Sequence, residues 1–450
     1  MAIASEAPTV TKPAPPGLRL PVLVQTLLFG QFRPQMLQLL RRRHGDVFSV
    51  RIAPAGRLVV VLARPEDIKT VFTGPATVFH AGEGNAILKP VMGEHSVLLV
   101  DEDEHRRVRR LLMPAFHGAA LRGYQDLVAR LAKAEVDRWP SGRDFRSHDR
   151  MNALTLEVIL QVVFGVTDPG RLATLRPLVR GIVAIGPTIM LGWFYPKLQR
   201  IGPWKRYTAF QRDLDRLLYA EIAERRTAND LADRDDVLSR LLRTGAESPG
   251  DQLTDAELRD QLITLLLAGH ETTATTLAWI LHELARRPDE LRRAQRAADE
   301  QDDDYLAAVA KEALRKRPVI YEVARRLTEP IEIGGYRIPA GAVVAPGIGL
   351  VQADPLNYPE PDEFRPSRFV DGQPAANTWI PFGGGVRRCL GAGFSLMEAS
   401  VVLAEVLRRY DVRPDRARPE KQRARNITLI PARGARIAVT PRSARTSTDR

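Results

Sequence analysis

Through the middle of this chain apolar positions recur at helical spacing, whereas toward both ends they alternate over short runs. Gln31 to Arg43 carries a helical pattern, and the runs Val47 to Ile52 and Leu58 to Leu62 read as strands. Helical patterns then follow one another from about Glu66 to Pro318, with breaks at Gly and Pro. The clearest starts at Thr254 and runs to about Arg287, where Pro288 stops it. Thr254-Asp255-Ala256-Glu257 puts a hydroxyl at the N-cap and a carboxylate three residues on, a capping box. Roughly 33 residues at about 1.5 Å each give a helix about 50 Å long. Leu262 to Ala268 and Leu277 to Leu281 are apolar nearly all round, which predicts a buried helix crossing the interior of one large domain.

After Pro318 the pattern changes. Ile331 to Ile338 reads as a hairpin around Gly334-Gly335. Loops rich in Gly and Pro occupy much of Pro339 to Gly385. A last long helix is predicted from about Leu390 to Tyr410, then strand-like pieces at Ile427 to Ile430 and Arg436 to Thr440. No repeat of fixed period is present. The fold class expected is mainly α with small β-sheet regions.

Composition narrows this. A chain of 450 residues with 44% apolar and 27% charged residues buries a sizeable core, which excludes a disordered or fibrous protein. The net charge is +12, and Arg408 to Arg450 alone contributes 13 basic against 4 acidic residues. With only nine lysines in the chain, that excess reads as arginine-heavy coding rather than a nucleic-acid surface. One cysteine, Cys389, excludes an intrachain disulfide framework, a multi-cysteine zinc site and a CxxC redox pair. No run approaches the ~18 apolar residues of a spanning helix. Pro21 to Phe29, broken by Gln25, lacks a basic leader and a cleavage site, so a soluble, cytoplasmic protein is expected, with interfacial contact through that run left open. Met1 to Pro16 reads as a flexible Pro-rich N-terminus, 17–440 as a single domain and 441–450 as a flexible basic tail.

Four clusters carry candidate chemistry. Cys389 closes the stretch Phe382-Gly383-Gly384-Gly385-Val386-Arg387-Arg388-Cys389-Leu390-Gly391. Three glycines without Cβ atoms let the backbone approach a flat object, and a helix N-terminus with two arginines favours a thiolate. Alone, a single cysteine is more often an inert buried hydrophobe. Ala268-Gly269-His270-Glu271-Thr272-Thr273 sits mid-way along the buried helix, where an acid, an imidazole and hydroxyls cost several kcal/mol if unsatisfied. Small Ala268 and Gly269 leave room for a ligand; a kink with back-bonded threonines is the structural alternative. Glu312-Ala313-Leu314-Arg315 pairs opposite charges at i, i+3, alone usually a solvated surface pair. His105 and Arg109 lie one turn apart on a basic helix and could face an anion.

The joint occurrence of these clusters, in this order, resembles the cytochrome P-450 superfamily of haem-thiolate monooxygenases, soluble bacterial type. The resemblance covers about Gly17 to Thr440. Phe382 to Gly391 is similar to the family's cysteine loop, Ala268 to Thr272 to its central-helix oxygen-activation motif, and Glu312 and Arg315 to its Glu-x-x-Arg helix. Pro366-Ser367-Arg368-Phe369 is similar to the segment whose Arg368 completes a buried triad with that pair.

The resemblance implies a helix-rich prism with haem b (iron protoporphyrin IX) between the long central helix and the cysteine-loop helix. Cys389 would be the axial ligand of the haem iron, with Phe382 beside the sulfur and Gly385, Gly391 and Ala268 leaving room for the porphyrin. His105, Arg109, Arg325 and Arg387 would bind the propionates through charge-assisted hydrogen bonds. Glu271 and Thr272 would be the distal acid–alcohol pair that delivers two protons to the reacting oxygen. His270 would be incidental. Substrate contacts would come from residues 81–98, 182–195, 265–268, 320–323 and 428–429, mostly apolar, which suits a lipophilic small molecule such as a fatty acid, terpenoid or steroid. Glu322 departs from the apolar residues many relatives carry there. The reaction implied inserts one oxygen atom from O2, with electrons from an external ferredoxin and ferredoxin reductase using NAD(P)H. Arg106, Arg107, Arg110 and Arg388 would steer that partner. The alternative is a haem-thiolate peroxygenase or peroxide-rearranging enzyme needing no redox partner. No nucleic acid and no membrane span are implied.

Overall fold

The structure is a computed structural model that describes residues 14–183, 185–247 and 249–442. Most of the flexible N-terminus expected from the sequence (1–13) and of the basic tail (443–450) lies outside the described residues.

The central helix spans Asp255–Leu284. Its predicted capping box is present: Glu257 N–H donates to the Thr254 hydroxyl at 3.2 Å, and Thr254 N–H donates to the Glu257 carboxylate at 2.8 Å. The helix ends short of the expected Arg287, because Pro288 starts the next helix, Pro288–Glu300, where its missing N–H leaves no partner unmet. Most central-helix residues are buried, and the helix packs most extensively against the helix Ser147–Phe164. Gly269 lies at that crossing: a Cβ there would stand 2.7 Å from Ile159 Cδ1, while its neighbour Ala268 is exposed.

The last long helix, Ala392–Arg409, lies within the predicted bounds and packs on Ala119–Val136, Asp303–Lys316 and the central helix. The N-terminal helix, Val22–His44, begins well before the predicted Gln31 and takes in the apolar run. It is broken at Phe32 (φ −121°, ψ 28°), two residues before Pro34, whose ring disturbs the preceding turn.

The β part is small and assembled from distant segments. Strands Val47–Ile52 and Arg57–Leu62 pair antiparallel with Val50 opposite Val59. The second pairs parallel with Val343–Pro346, then come Arg325–Leu327 and Phe79–His80, giving five strands. The predicted hairpin joins Ile331–Ile333 to Tyr336–Ile338 through Gly334 (φ +61°) and Gly335 (φ +81°), the left-handed pair a two-residue turn requires. A second hairpin, Gln422–Arg425 with Thr428–Pro431, turns through Asn426 (φ +56°). Strand Arg436–Pro441 pairs with Tyr410–Pro414 and Asp144–Arg146.

Among the described residues no single helix is long and apolar enough to cross a membrane. One bent pair, Ser147–Phe164 with Pro169–Val183, meets the length and composition requirement, but its first helix is largely core.

Glu312 and Arg315, in the helix Asp303–Lys316, are buried rather than at the solvated surface where such pairs usually lie. Arg315 Nε donates to Glu312 Oε2 at 2.7 Å and its NH2 to Oε1 at 2.8 Å. The guanidinium also donates to the carbonyls of Gln352, Pro361 and Glu363. Arg368 approaches Glu312 at 3.6 Å and donates to the carbonyls of Pro359 and Glu360. The three residues tie the helix to the loop that leads to the cysteine segment. Removing one partner strands a buried charge, so Arg315→Ala and Glu312→Gln should each cost about 3–5 kcal/mol, read as a lowered urea midpoint.

Burial holds His148 and His282 neutral, each lowered from 6.5 to about 4. The unfolded chain therefore takes up protons before the folded one does. The contribution of these two histidines should be constant above about pH 6.5, fall as pH drops toward 4 and level off below it. His148→Asn or His282→Asn should flatten that slope in denaturant titrations across the window.

Candidate functional site

The cysteine segment is a chain of tight turns. Gly383 N–H donates to Ile380 O (2.9 Å), Arg388 N–H to Gly385 O (3.1 Å), and Cys389 N–H back to Phe382 O (2.8 Å). Gly383 and Gly385 have φ of +67° and +63°, which favours glycine. Gly384 and Gly385 are required by a neighbour the sequence did not reveal. A Cβ on either would collide with Phe72, at its ring or its backbone carbonyl respectively, in the helix Pro65–Thr73. Gly391, by contrast, has no atom within 4 Å of its missing Cβ, so it borders open space.

Cys389 is exposed by surface area, yet protein surrounds it at the longer range that governs desolvation. Its sulfur therefore faces an interior recess. Burial pushes the thiol up, and this outweighs the Gly391 N–H and the charges of Arg109 and Arg388, which favour the thiolate. The thiolate-favouring environment expected from the helix terminus and arginines is thus present but insufficient by itself. A metal cation on the sulfur would decide the balance.

His105 and Arg109, on the helix Glu102–Leu112, gather with Arg325 and Arg387 from two remote segments. Arg387 donates to the carbonyls of Val97 (3.2 Å) and Val100 (2.7 Å) and pairs with Asp101. Asp101 is itself fixed by the N–H groups of Gly82 (2.9 Å) and Glu83 (3.1 Å). Arg325 is buried and makes one side-chain hydrogen bond among the described residues, to the carbonyl of Ala324 at 2.8 Å. The Arg109 guanidinium makes no hydrogen bond or ion pair among them. Burial, with Arg387 nearby, lowers Arg325 to about 10; burial, reinforced by Arg109 and opposed by Asp101, lowers Arg387 to about 10. Burial and the same arginines hold His105 down to about 4. Arg325 and Arg387 thus face the Asp101 carboxylate, and Arg109 acts on both Arg387 and Cys389, so positive charge exceeds negative in this cluster. A buried cation cluster with unused donors fits a ligand carrying two carboxylates.

On the central helix, Thr272 Oγ1 donates to Ala268 O at 2.7 Å and Thr276 Oγ1 to Thr272 O at 3.0 Å. Thr272 is back-bonded, as the structural alternative held, whereas Thr273 bonds Ser395 (3.2 Å), and the helix continues uninterrupted through both. His270 Nδ1 bonds Leu266 O at 2.8 Å and burial lowers it, so its ring is engaged within its own helix. Glu271 is buried, and burial raises its carboxyl; Oε1 stands 3.3 Å from Arg425 but receives no hydrogen bond.

Other expected residues are distributed differently. Glu322 forms an ion pair with Arg33 (3.0 Å) of the N-terminal helix, and burial raises it. Arg106 pairs with Asp103, Arg107 with Glu257 (2.6 Å) and Arg110 with Asp251 (2.6 Å), leaving Arg388 without an ion pair among the described residues. That local neutralisation weakens a steering surface built on these four. The segments at 319–323 and 428–429 do meet, through Leu429 N–H to Val319 O (2.7 Å) and an Ile320–Thr428 bridge. Asp101, Phe72, Arg425 and Arg33 were not expected from the sequence. Each acts on a segment far along the chain, and no local pattern marks it.

A sequence profile of the family Cytochrome P450 matches residues 13–438. This chain belongs to the cytochrome P450 family. It is 52% identical over 97% of both chains to a provisionally named cytochrome P450 135A1 of Mycobacterium tuberculosis. A provisionally named cytochrome P450 135B1 of Mycobacterium bovis is 46% identical, covering 94% of this chain and 91% of its own. Among solved structures, retinoic acid-bound cyanobacterial CYP120A1 superposes with a TM-score of 0.83 at 22% identity, over 96% of this chain and all of the other. The haem domain of cytochrome P450DA gives 0.82 at 24%, over 96% and 99%. These P450 structures share the helix-rich fold with small sheets. The chain is therefore a P450 monooxygenase, an oxidoreductase of the haem-iron class that uses O2 and a redox partner.

The Gly385 geometry yields a test. Gly385→Ala adds left-handed strain of about 1–2 kcal/mol to a clash with the Phe72 carbonyl. It should lower haem content and thermal midpoint, and Phe72→Ala should not rescue it, because the obstructing atom is backbone.

Proposed function

We propose that this P450 holds haem b on Cys389 and inserts one oxygen atom from O2 into a lipophilic small molecule of fatty acid, terpenoid or steroid class. Electrons come from a ferredoxin and its NAD(P)H-dependent reductase, and the enzyme, whose single domain spans 17–440, works in the cytoplasm. The observation that carries the cofactor assignment is the placing of Cys389 beside Arg109, in a cluster with Arg325 and Arg387 whose positive charge exceeds the Asp101 carboxylate and suits two propionates.

In this reading Arg109, Arg325 and Arg387 bind the propionates, and His105, neutral and buried, donates a hydrogen bond without adding charge. Asp101 holds Arg387 in place. Phe382 supports the cysteine through its carbonyl, and exposed Ala268 with open-sided Gly391 leaves the porphyrin faces clear. The bound haem supplies O2 binding, electron storage and O–O bond cleavage.

Proton supply falls to the central helix. Consuming O2, two electrons and two protons yields one hydroxylated product and one water. Thr272 donates its own proton to Ala268 O, so its oxygen is free to accept a hydrogen bond from water. Glu271, whose carboxyl is raised by burial against the opposing charge of Arg425, is the acid beside that hydroxyl that can give up and regain a proton. That pair supports oxygenation with external electrons over peroxide-driven chemistry.

Cys389→Ser should abolish the red-shifted ferrous–carbon monoxide band of thiolate-ligated haem; an unchanged band defeats the ligand assignment. Thr272→Ala should lower product formed per NAD(P)H several-fold and raise hydrogen peroxide correspondingly. Faster turnover with hydrogen peroxide than with ferredoxin and NAD(P)H would favour the peroxygenase alternative.

A further inference from the structure

Arg425 was absent from every sequence motif, yet it is the cation nearest the candidate distal acid. It ends the strand Gln422–Arg425, opposite Thr428 across a two-residue turn. That turn is held from several sides. Asn426 takes the left-handed conformation and its amide donates to Ile185 O at 2.8 Å, while Arg33 donates to Asn426 O at 3.3 Å. Thr428 Oγ1 closes the turn on Arg425 O at 2.8 Å, and Leu429 N–H anchors the return strand to Val319 O. A backbone so constrained aims one long side chain at one place. Arg425 reaches 3.3 Å from Glu271 Oε1, with its own side chain 36% exposed and that of the acid 11% exposed.

We propose that Arg425 is a positioning residue for the distal acid: by standing between Glu271 and solvent it allows the buried carboxyl to release a proton and be recharged. The proposal rests on Glu271 being the proton donor, as read above. A buried carboxyl with no cation beside it stays protonated, because its anion is unsolvated. A cation at 3.3 Å stabilises the anion for the interval between donation and recharging. Because that cation is partly exposed, it also marks the side on which water reaches the acid. The proton balance closes: Glu271 gives one proton to the reacting oxygen and takes one from solvent, and Arg425 is neither donor nor acceptor in the exchange. The hairpin that carries Arg425 also carries Thr428 and Leu429, which meet the 319–320 segment, so contacts at that wall bear directly on the pair.

Other charges around the acid are few. His270 on the same helix and His148 on the neighbouring one are held neutral by burial, His148 at about 4. Arg180 acts on His270 and Arg146 on His148, while Arg425 acts on both histidines and is the charge acting on Glu271.

The test follows the carboxylic-acid stretch of Glu271 by infrared difference spectroscopy of the ferric holoenzyme across a pH titration, with Glu271→Gln identifying the band. Arg425→Gln should move its midpoint upward and raise uncoupled electron use several-fold, with an enlarged solvent isotope effect. Arg425→Lys should restore both toward the parent enzyme. Arg425→Met keeps the packing of the stem and carries the same expectation should the Gln variant not fold. An Arg425→Gln or Arg425→Met midpoint equal to the parent's would overturn the proposal. If Glu271→Gln itself left coupling intact, the proton-donor reading would fall instead, a result that the Arg425 variants cannot mimic.

Discussion

Carrying polar groups through the core on one uninterrupted helix is the constraint around which this protein is organised. Each such group needs a partner or must stay uncharged. Thr272, Thr276 and His270 meet the requirement inside the helix, by bonding carbonyls one turn back. Thr275 meets it with His148, and Thr273 with Ser395 of the last long helix. Glu271 meets it incompletely, with an ion pair that is not aligned as a hydrogen bond, and Trp279 Nε1 on the same helix also lacks a hydrogen-bond partner among the described residues. The incompletely satisfied acid is the one proposed above to move a proton, in keeping with functional sites being where local rules are broken.

The cysteine side obeys the opposite logic. There charge is concentrated rather than avoided: Arg325 and Arg387 share the Asp101 carboxylate, Arg109 stands near Arg387 and Cys389, and each is depressed below its ordinary value by burial. Such a cluster repels itself, and its excess over Asp101 is the electrostatic complement of a dianionic group. The buried Glu312–Arg315 pair serves the same region at one remove, fixing through Arg368 and several carbonyls the loop that leads to Cys389. Asp101 connects this cluster to the short helix Ala81–Gly84. A change in that short helix is therefore felt by Arg387.

Much of the fold was legible in the chain itself. The capping box at Thr254, the Gly334-Gly335 hairpin, the first two strands and the last long helix are local events, decided by turn chemistry and hydrophobic period over a few residues. The glycines of the cysteine segment were legible as a demand for close approach. What approaches was not: Phe72, more than three hundred residues away, meets Gly384 and Gly385, and Ile159 meets Gly269. The Glu312–Arg315 pair shows the same division, since i, i+3 spacing gives the contact but not its burial.

What the amino-acid order alone determined is the set of local shapes and the roster of chemically able residues: one sulfur, one acid–alcohol pair and several cations at particular turns. Only the tertiary structure decided which of those share a dielectric and a partner. It set Glu322 against Arg33, neutralised Arg107 against Glu257, and brought Arg425 to Glu271. The reason is range. Turn and cap energies act between neighbours along the chain, whereas desolvation and Coulomb interactions depend on distance through space.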